Sequence, residues 1–303
     1  MSSILVVGSL AYDGIETPAG RVDRALGGSA NYFSLASSLF SKVRVVGVVG
    51  EDYAPADEEM LRSRGVDLGG LERVAGKTFF WQGKYEGDLN EAKTLRTDLN
   101  VFENFNPKLP EAFKDSEFVF LANIAPELQV QVLEQVRAPK FVGMDTMNFW
   151  ISSKKEALLK VLSKVDVVLI NETEAEMLTG AANAISAAPK ITEMGPRAVV
   201  IKRGEYGFAF YSKDTGFFIL PAMPIPSVID PTGAGDTFAG GFFGHLAKLG
   251  RVPTVQEMKE ACVTGTLLAS FTIQDFSVRA LEKVTPRDIE SRRADYAKVI
   301  GLH

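Results

Sequence analysis

The sequence predicts an α/β fold, with a mostly parallel central sheet, helices on both faces and a small β-lid. Three observations lead there. Short apolar, β-branched runs recur along the chain, separated by helix-length segments, which is the pattern of βαβ units. The runs are apolar nearly throughout rather than alternating, as strands covered on both faces must be. One long stretch breaks the rhythm with aromatic and charged residues interleaved, the mark of strands with one wet face.

In chain order, residues 4–8, Ile-Leu-Val-Val-Gly, read as a buried strand stopped by glycine. Residues 14–25 are short and mixed. Residues 30–40 carry helical spacing after Gly27-Gly28, and residues 43–49 are a second β-branched strand. Residues 69–105 hold the interleaved run Thr78-Phe79-Phe80-Trp81-Gln82-Gly83-Lys84-Tyr85 and read as antiparallel strands. The expectation is one domain over residues 1–303, with a lid inserted from about 12–26 and 69–105; a surface excursion of the main sheet is the alternative. Further strands are expected at 118–121, 141–144, 165–170 and 198–201, and helices at 126–136, 153–162 and 238–249. No internal repeat or low-complexity linker interrupts them.

Composition narrows the function. Of 303 residues, 46% are apolar, enough for a sizeable core. Lysine and arginine total 33 against 38 aspartates and glutamates, and the net charge of -5 argues against a dedicated nucleic-acid binder. Cys262 is the lone cysteine, so no intramolecular disulfide forms, and with only His245 and His303 a His/Cys zinc site or a Ser-His-Asp triad is disfavoured. The apolar stretch 261–274 is too short for a bilayer, and the start shows no basic leader, so a soluble, reducing, cytoplasmic setting is expected. Gly8 is followed by Ser9-Leu10-Ala11, which is not a dinucleotide fingerprint, and no Walker-type P-loop occurs.

The most informative string is Asp230-Pro231-Thr232-Gly233-Ala234-Gly235-Asp236-Thr237-Phe238, leading into an apolar helix. Small residues at 233–235 let a ligand approach the backbone, and their N–H groups lie where a helix start collects partial positive charge. A carboxylate in that first turn would repel a bound phosphate, so Asp236 needs a reason to be there. A general base that takes a proton from an attacking hydroxyl supplies one. The plainer alternative is an acid offsetting the helix dipole.

With these residues in hand, the chain resembles the ribokinase-like, or PfkB-type, carbohydrate kinase family over nearly its whole length. Asp230 to Phe238 is similar to the family's C-terminal signature, Gly27-Gly28-Ser29-Ala30-Asn31 to its N-terminal signature, and Asn171-Glu172-Thr173-Glu174 to its Asn-x-x-Glu motif. The resemblance implies ATP and Mg²⁺ as cofactors, Asp236 as base and the amides of Gly233, Ala234 and Gly235 as anion hole. It implies Asn171 and Glu174 around Mg²⁺ through water, a nucleotide site of Asn171, Lys202, Gly204, Thr232, Gly233 and Gly235, and acceptor contacts from Asp13, Gly28, Asn31 and Asn148. It leaves room for a monovalent cation such as K⁺ at Asp230, Thr232 and the backbone of residues 269–277. The chain departs from the family at Ala11, where many members carry asparagine, and at Ser277, where a glycine is usual.

The function expected is ATP-dependent phosphorylation of a hydroxymethyl group on a sugar or sugar-like substrate. The alternatives are a nucleoside kinase of adenosine, inosine or cytidine type, with Phe79, Phe80, Trp81 and Tyr85 covering a base, and a non-catalytic sugar or nucleotide binder. A dinucleotide-dependent oxidoreductase carries little weight without its fingerprint. The partners expected are the small-molecule sugar or nucleoside, no nucleic acid or membrane, and a second copy of the chain joined through the lid.

Overall fold

In the computed structural model, residues 2–87 and 89–301 are described; His303 lies outside them. Thirteen strands form among these residues. They are β1 (Ser3–Val7), β2 (Ala11–Thr17), β3 (Gly20–Gly27), β4 (Lys42–Val49), β5 (Val66–Arg73), β6 (Phe79–Tyr85) and β7 (Ala92–Asp98). Then follow β8 (Phe118–Leu121), β9 (Phe141–Asp145), β10 (Val167–Asn171), β11 (Ala198–Lys202), β12 (Phe208–Ser212) and β13 (Gly216–Leu220). The helices are α1 (Ser29–Ser38), α2 (Pro55–Ser63), α3 (Pro126–Gln135), α4 (Asn148–Ser153) and α5 (Lys155–Leu162). The second half adds α6 (Glu172–Thr179), α7 (Ala184–Glu193), α8 (Ala234–Ala247), α9 (Val255–Thr272) and α10 (Pro286–Val299).

Nine strands make the main sheet in the order β13-β12-β11-β10-β9-β8-β1-β4-β5. The run from β11 to β5 is parallel throughout, and β12 and β13 return antiparallel at one edge. The strand order reverses between β1 and β8, so the crevice at their carboxyl ends is where a sheet of this kind binds ligand. The runs look continuously apolar because alternate residues enter different cores. Ile4, Val6, Phe118 and Phe120 pack against α1, α8 and α9 on one face. Leu5, Val7, Val119 and Leu121 pack against the helices of the other. No helix among the described residues is long and apolar enough to cross a membrane.

Small residues set how closely α8 lies between α1 and α9. A Cβ on Gly240 would stand 2.4 Å from Phe33 O, and one on Gly241 would stand 3.0 Å from Gly265 Cα. This approach brings the amino ends of α1 and α8 together at the crevice. Helix α8 begins at Ala234, four residues before the expected 238, because Gly233 takes a left-handed conformation (φ 74°) as its N-cap. The expected helix over 153–162 divides at Lys154 into α4 and α5.

The second sheet has the order β3-β2-β6-β7. Strands β2 and β6 run parallel while the two outer pairs are antiparallel. The sheet is therefore mixed, because the chain passes through β4, α2 and β5 of the main body between β2 and β6. Residues 69–73, inside the interval read as lid, are the end of β5 in the main sheet. Asp13 is in register with Trp81, so both side chains share one face of this sheet.

Gly240→Val is expected to destabilise the protein by about 3 kcal/mol, since the clash is with backbone that cannot step aside. A thermal melt within 1 °C of the parent would show that α8 does not need this approach.

Candidate active site

Backbone geometry positions Asp13, the acid expected at the acceptor. Asp13, on β2, is 4% exposed, and its carboxylate accepts the N–H of Gly28. Gly27 has to be glycine, since a Cβ there would fall 2.0 Å from Asp13 Oδ2. Asn31, wholly buried on α1, donates Nδ2–H to Gly27 O at 2.6 Å and accepts from Tyr53 at 3.2 Å, so its amide holds the turn that holds Asp13. Burial, with Asp230 and Asp236 nearby, pushes the Asp13 carboxyl up to about 8, against the Gly28 hydrogen bond.

Across the crevice, Asp236 is the third residue of α8 and half-buried. Burial and the neighbouring Asp145 push its carboxyl up to about 7, with Lys202 acting in the opposite sense. The Ala234 N–H is engaged with Pro231 O at 3.2 Å. The N–H groups of Gly233 and Gly235 have no partner among the described residues, which leaves two unpaired donors at a helix amino end beside Asp236.

The loop leading into those donors is tied to the lid at three points. Thr17 donates to Ile229 O at 2.8 Å, and Thr232 Oγ1 donates to Tyr85 Oη at 3.2 Å. Ser277 donates its hydroxyl to Leu26 O at the end of β3. Asp230 is wholly buried and accepts the N–H groups of Thr232 and Ser277, each at 2.9 Å. Burial nevertheless holds its carboxyl above the usual range. Ser277 sits at φ 59°, a conformation strained for any residue but glycine, while a glycine would lack the hydroxyl that reaches Leu26.

The residues expected at the nucleotide gather at the ends of β9, β10 and β11. Lys202 Nζ lies 2.9 Å from Asp145 Oδ2, and a Cβ on Gly235 would stand 3.0 Å from that Nζ. Burial would lower the Lys202 ammonium, but Asp145 and Glu174 outweigh it and hold it above its usual value. Asn171 and Glu174 form a reciprocal cap on α6: Asn171 Oδ1 accepts the Glu174 N–H at 2.7 Å and Glu174 Oε2 accepts the Asn171 N–H at 2.9 Å. Burial and then Asp145 push Glu174 up. Gly204 is left-handed (φ 52°), and a Cβ there would meet Asn90 Oδ1 at 1.9 Å, so the segment between β6 and β7 reaches the turn after β11. Thr173 donates to Glu91 in that same turn at 2.6 Å.

The structure thus brings Asp13, Gly28, Asn31, Thr232, Gly233, Ala234, Gly235, Asp236, Asp230, Lys202 and Glu174 around one crevice, with Asn171 and Gly204 at its nucleotide end. Asn148 stands exposed at the start of α4. Asp145, three residues earlier, is the member of that segment in the charged cluster; the sequence singles out the polar strand end Asp145-Thr146-Met147-Asn148 as facing the site, with Asn148 as its contact. Its signal was an acid closing an otherwise apolar strand. Tyr85 and Ser277 take roles that no local pattern announces. Among the described residues no cluster of three or more His, Cys, Asp and Glu could cage a metal.

Comparison with known proteins follows the same lines. The family described as pfkB family carbohydrate kinase matches residues 1–284. The chain is 32% identical over 255 residues to a cytidine kinase of Thermococcus kodakarensis, covering 82% of this chain and 90% of that one. It is 25% identical over 289 residues to a nucleoside kinase of Methanothermobacter thermautotrophicus, covering 90% and 89%. The solved nucleoside kinase of Methanocaldococcus jannaschii shares the fold, with a TM-score of 0.77 at 20% identity over 97% and 99% of the two chains. A putative ribokinase II from E. coli, solved with ATP and Mg²⁺, gives a TM-score of 0.79 at 17% identity over 97% and 100%.

A carboxyl whose pKa is raised on folding costs stability once pH climbs above its unfolded value, and the cost is complete above its folded value. Asp13→Asn is therefore expected to raise Tm on the order of 5 °C at pH 9, with the gain shrinking as pH falls toward 4. A gain that is the same at both ends would contradict the burial of an ionisable Asp13.

Proposed function

The chain belongs to the pfkB family of carbohydrate kinases, and from that premise we propose that it transfers the γ-phosphoryl group of ATP to the hydroxymethyl oxygen of a ribosyl acceptor, a nucleoside in the first place. The observation that carries the reading is the placement of one carboxyl, Asp236, beside the unpaired amides of Gly233 and Gly235 and within electrostatic reach of the buried Asp13. Asp13 orients the sugar by accepting its hydroxyl protons, and Asp236 takes the proton of the attacking hydroxyl. The two amides and the α8 amino end stabilise charge gathering on the transferring group. Lys202, held by Asp145 beside Gly235, neutralises phosphate oxygens.

Mg²⁺ fits the same place, where it would neutralise phosphate charge. The residues around it are Glu174, which keeps Oε1 outside its cap, and Asn171, with Asp145 adjacent; so sparse a donor set suits an ion that retains its waters. A monovalent cation beside Asp230 and Thr232 would act by fixing the loop that Asp230 already braces through two N–H bonds.

The preference for a nucleoside over a free sugar is supported by the identity to a cytidine kinase across most of both chains and by Trp81, which lies on the lid face beside Asp13 and offers a ring on which a base can stack. Phe80 lies on the opposite face, where Arg96 covers its ring.

The test is ADP release measured over ribonucleosides, ribose, deoxyribose, fructose and inositol. A nucleoside is expected to exceed the free sugars in kcat/KM by about 10²-fold, since base stacking adds binding that a free sugar lacks. A free sugar as the best acceptor would reject the nucleoside reading. With the best acceptor, Asp236→Asn is expected to lower kcat by about 10²-fold or more. The parent's kcat/KM should rise with pH through about 7 as Asp236 loses its proton. Retained turnover, or a pH profile unchanged by the substitution, would remove Asp236 from the role of base.

A further inference from the structure

The two faces of the lid sheet carry different chemistry. Tyr12, Phe80 and Asp98 stand in one row across it, and Asp13, Trp81 and Thr97 in the next. Side chains alternate along a strand, so the first row lies on the face opposite Asp13. On that face, between the lid and the loop before α2, is a pocket of about 210 Å³ that the proposed reaction does not use. A cavity of roughly 150 Å³ takes one benzene ring, so this one has room for a small ring and an anionic group.

Three cations line the pocket: Arg24, Lys77 and Arg96. The Arg24 guanidinium lies 3.5 Å over the Tyr12 ring, and that of Arg96 lies 5.5 Å over Phe80. Each arginine has one carboxylate partner and N–H groups to spare. Arg24 reaches Asp52 through Nη2 alone, and Arg96 holds Asp98 through Nε and Nη2. Lys77 has no ion-pair partner among the described residues. Asp52 is committed further, accepting the N–H and the hydroxyl of Thr78 at 2.7 Å each. Three cations against two carboxylates leave the lining at +1, on a chain whose net charge is -5.

We propose that this pocket is a second ligand site, for a small phosphate monoester such as a phosphorylated pentose, whose occupancy is felt at the acceptor. Spare guanidinium N–H groups and an unpaired ammonium suit a phosphoryl group, and the Tyr12 and Phe80 rings offer apolar surface to the organic part. Arg24 is on β3 and Arg96 on β7, the outer strands, while Tyr12 and Phe80 are on the inner two. A ligand spanning the arginines therefore clamps all four strands. Tyr12 also donates to Asp57 on α2, so the clamped strands are joined to the main body. Tyr12 and Phe80 are chain neighbours of Asp13 and Trp81, and fixing one row fixes the other. The coupling is reciprocal: an acceptor bound at Asp13 changes the affinity for the monoester by the same factor. The binding half of this proposal stands apart from the function proposed above.

The experiment is calorimetry of ribose 5-phosphate, inorganic phosphate and ribose on the parent, Lys77→Gln and Arg96→Gln, with a thermal melt of each protein. Acceptor KM is then measured with and without the monoester. Both side chains are exposed, so both variants are expected to melt within ~2 °C of the parent and to keep its kcat. The parent should bind ribose 5-phosphate, and each variant should bind it about 10-fold more weakly. Inorganic phosphate should bind the parent more weakly than the monoester, and ribose should not bind. The monoester should shift the parent's acceptor KM by about 5-fold and shift that of either variant less. Equal affinity in the parent and both variants would put the monoester elsewhere and overturn the proposal. Failure of the parent to bind it, phosphate or ribose binding as tightly, or an acceptor KM that the bound monoester leaves unchanged would each overturn it as well.

Discussion

One constraint governs this molecule: Asp13, Asp145, Glu174, Asp230 and Asp236 gather within electrostatic reach of one another, with the half-buried Lys202 as a cation among them. Burial first, and then neighbouring acids, raise the pKa of Asp13, Glu174, Asp230 and Asp236, and the folded chain carries that cost at neutral pH. The surrounding backbone limits it. Asp13 receives the Gly28 N–H, Asp230 those of Thr232 and Ser277, Glu174 that of Asn171, and Asp145 that of Thr146. Stability is given up locally where charge must be available for a substrate, as is common at sites of phosphoryl transfer.

The fold carries that local cost through close packing elsewhere. Glycines on α8 let it press against α1 and α9, and rings such as Phe33 and Phe120, stacked at 4.5 Å, fill the face beneath. The same packing sets α1 and α8 side by side and parallel, with their amino ends together at the crevice. The lid then closes the arrangement from above. Thr17, Tyr85 and Ser277 tie it to the loop before α8, so the strand bearing Asp13 and the loop bearing the unpaired amides cannot move independently.

Ser277 illustrates how a strained backbone position can be read physically. A glycine would adopt φ 59° freely, whereas serine does so under strain. What it gains is a hydroxyl bond to Leu26 O, which only a side chain can make. The exchange trades backbone ease for a firmer joint between the lid and the Asp230 loop.

Much of this was legible in the chain itself. The βαβ alternation, the strands of the second sheet, the small-residue string at 233–235 and Asp236 in the first turn after it are local patterns, in which neighbours in sequence are neighbours in space. The periods of strand and helix and the backbone preferences of glycine dictate them. Tertiary structure alone decided the rest. It made the lid sheet mixed by routing the chain through the main body between β2 and β6. It placed Asp145 against Lys202, engaged the Ala234 amide while leaving those of Gly233 and Gly235 unpaired, and left Tyr32 alone among the buried tyrosines without a partner. Each of these depends on groups many residues apart meeting at hydrogen-bonding distance in a low-dielectric cleft, and no local pattern encodes which pairs will meet there.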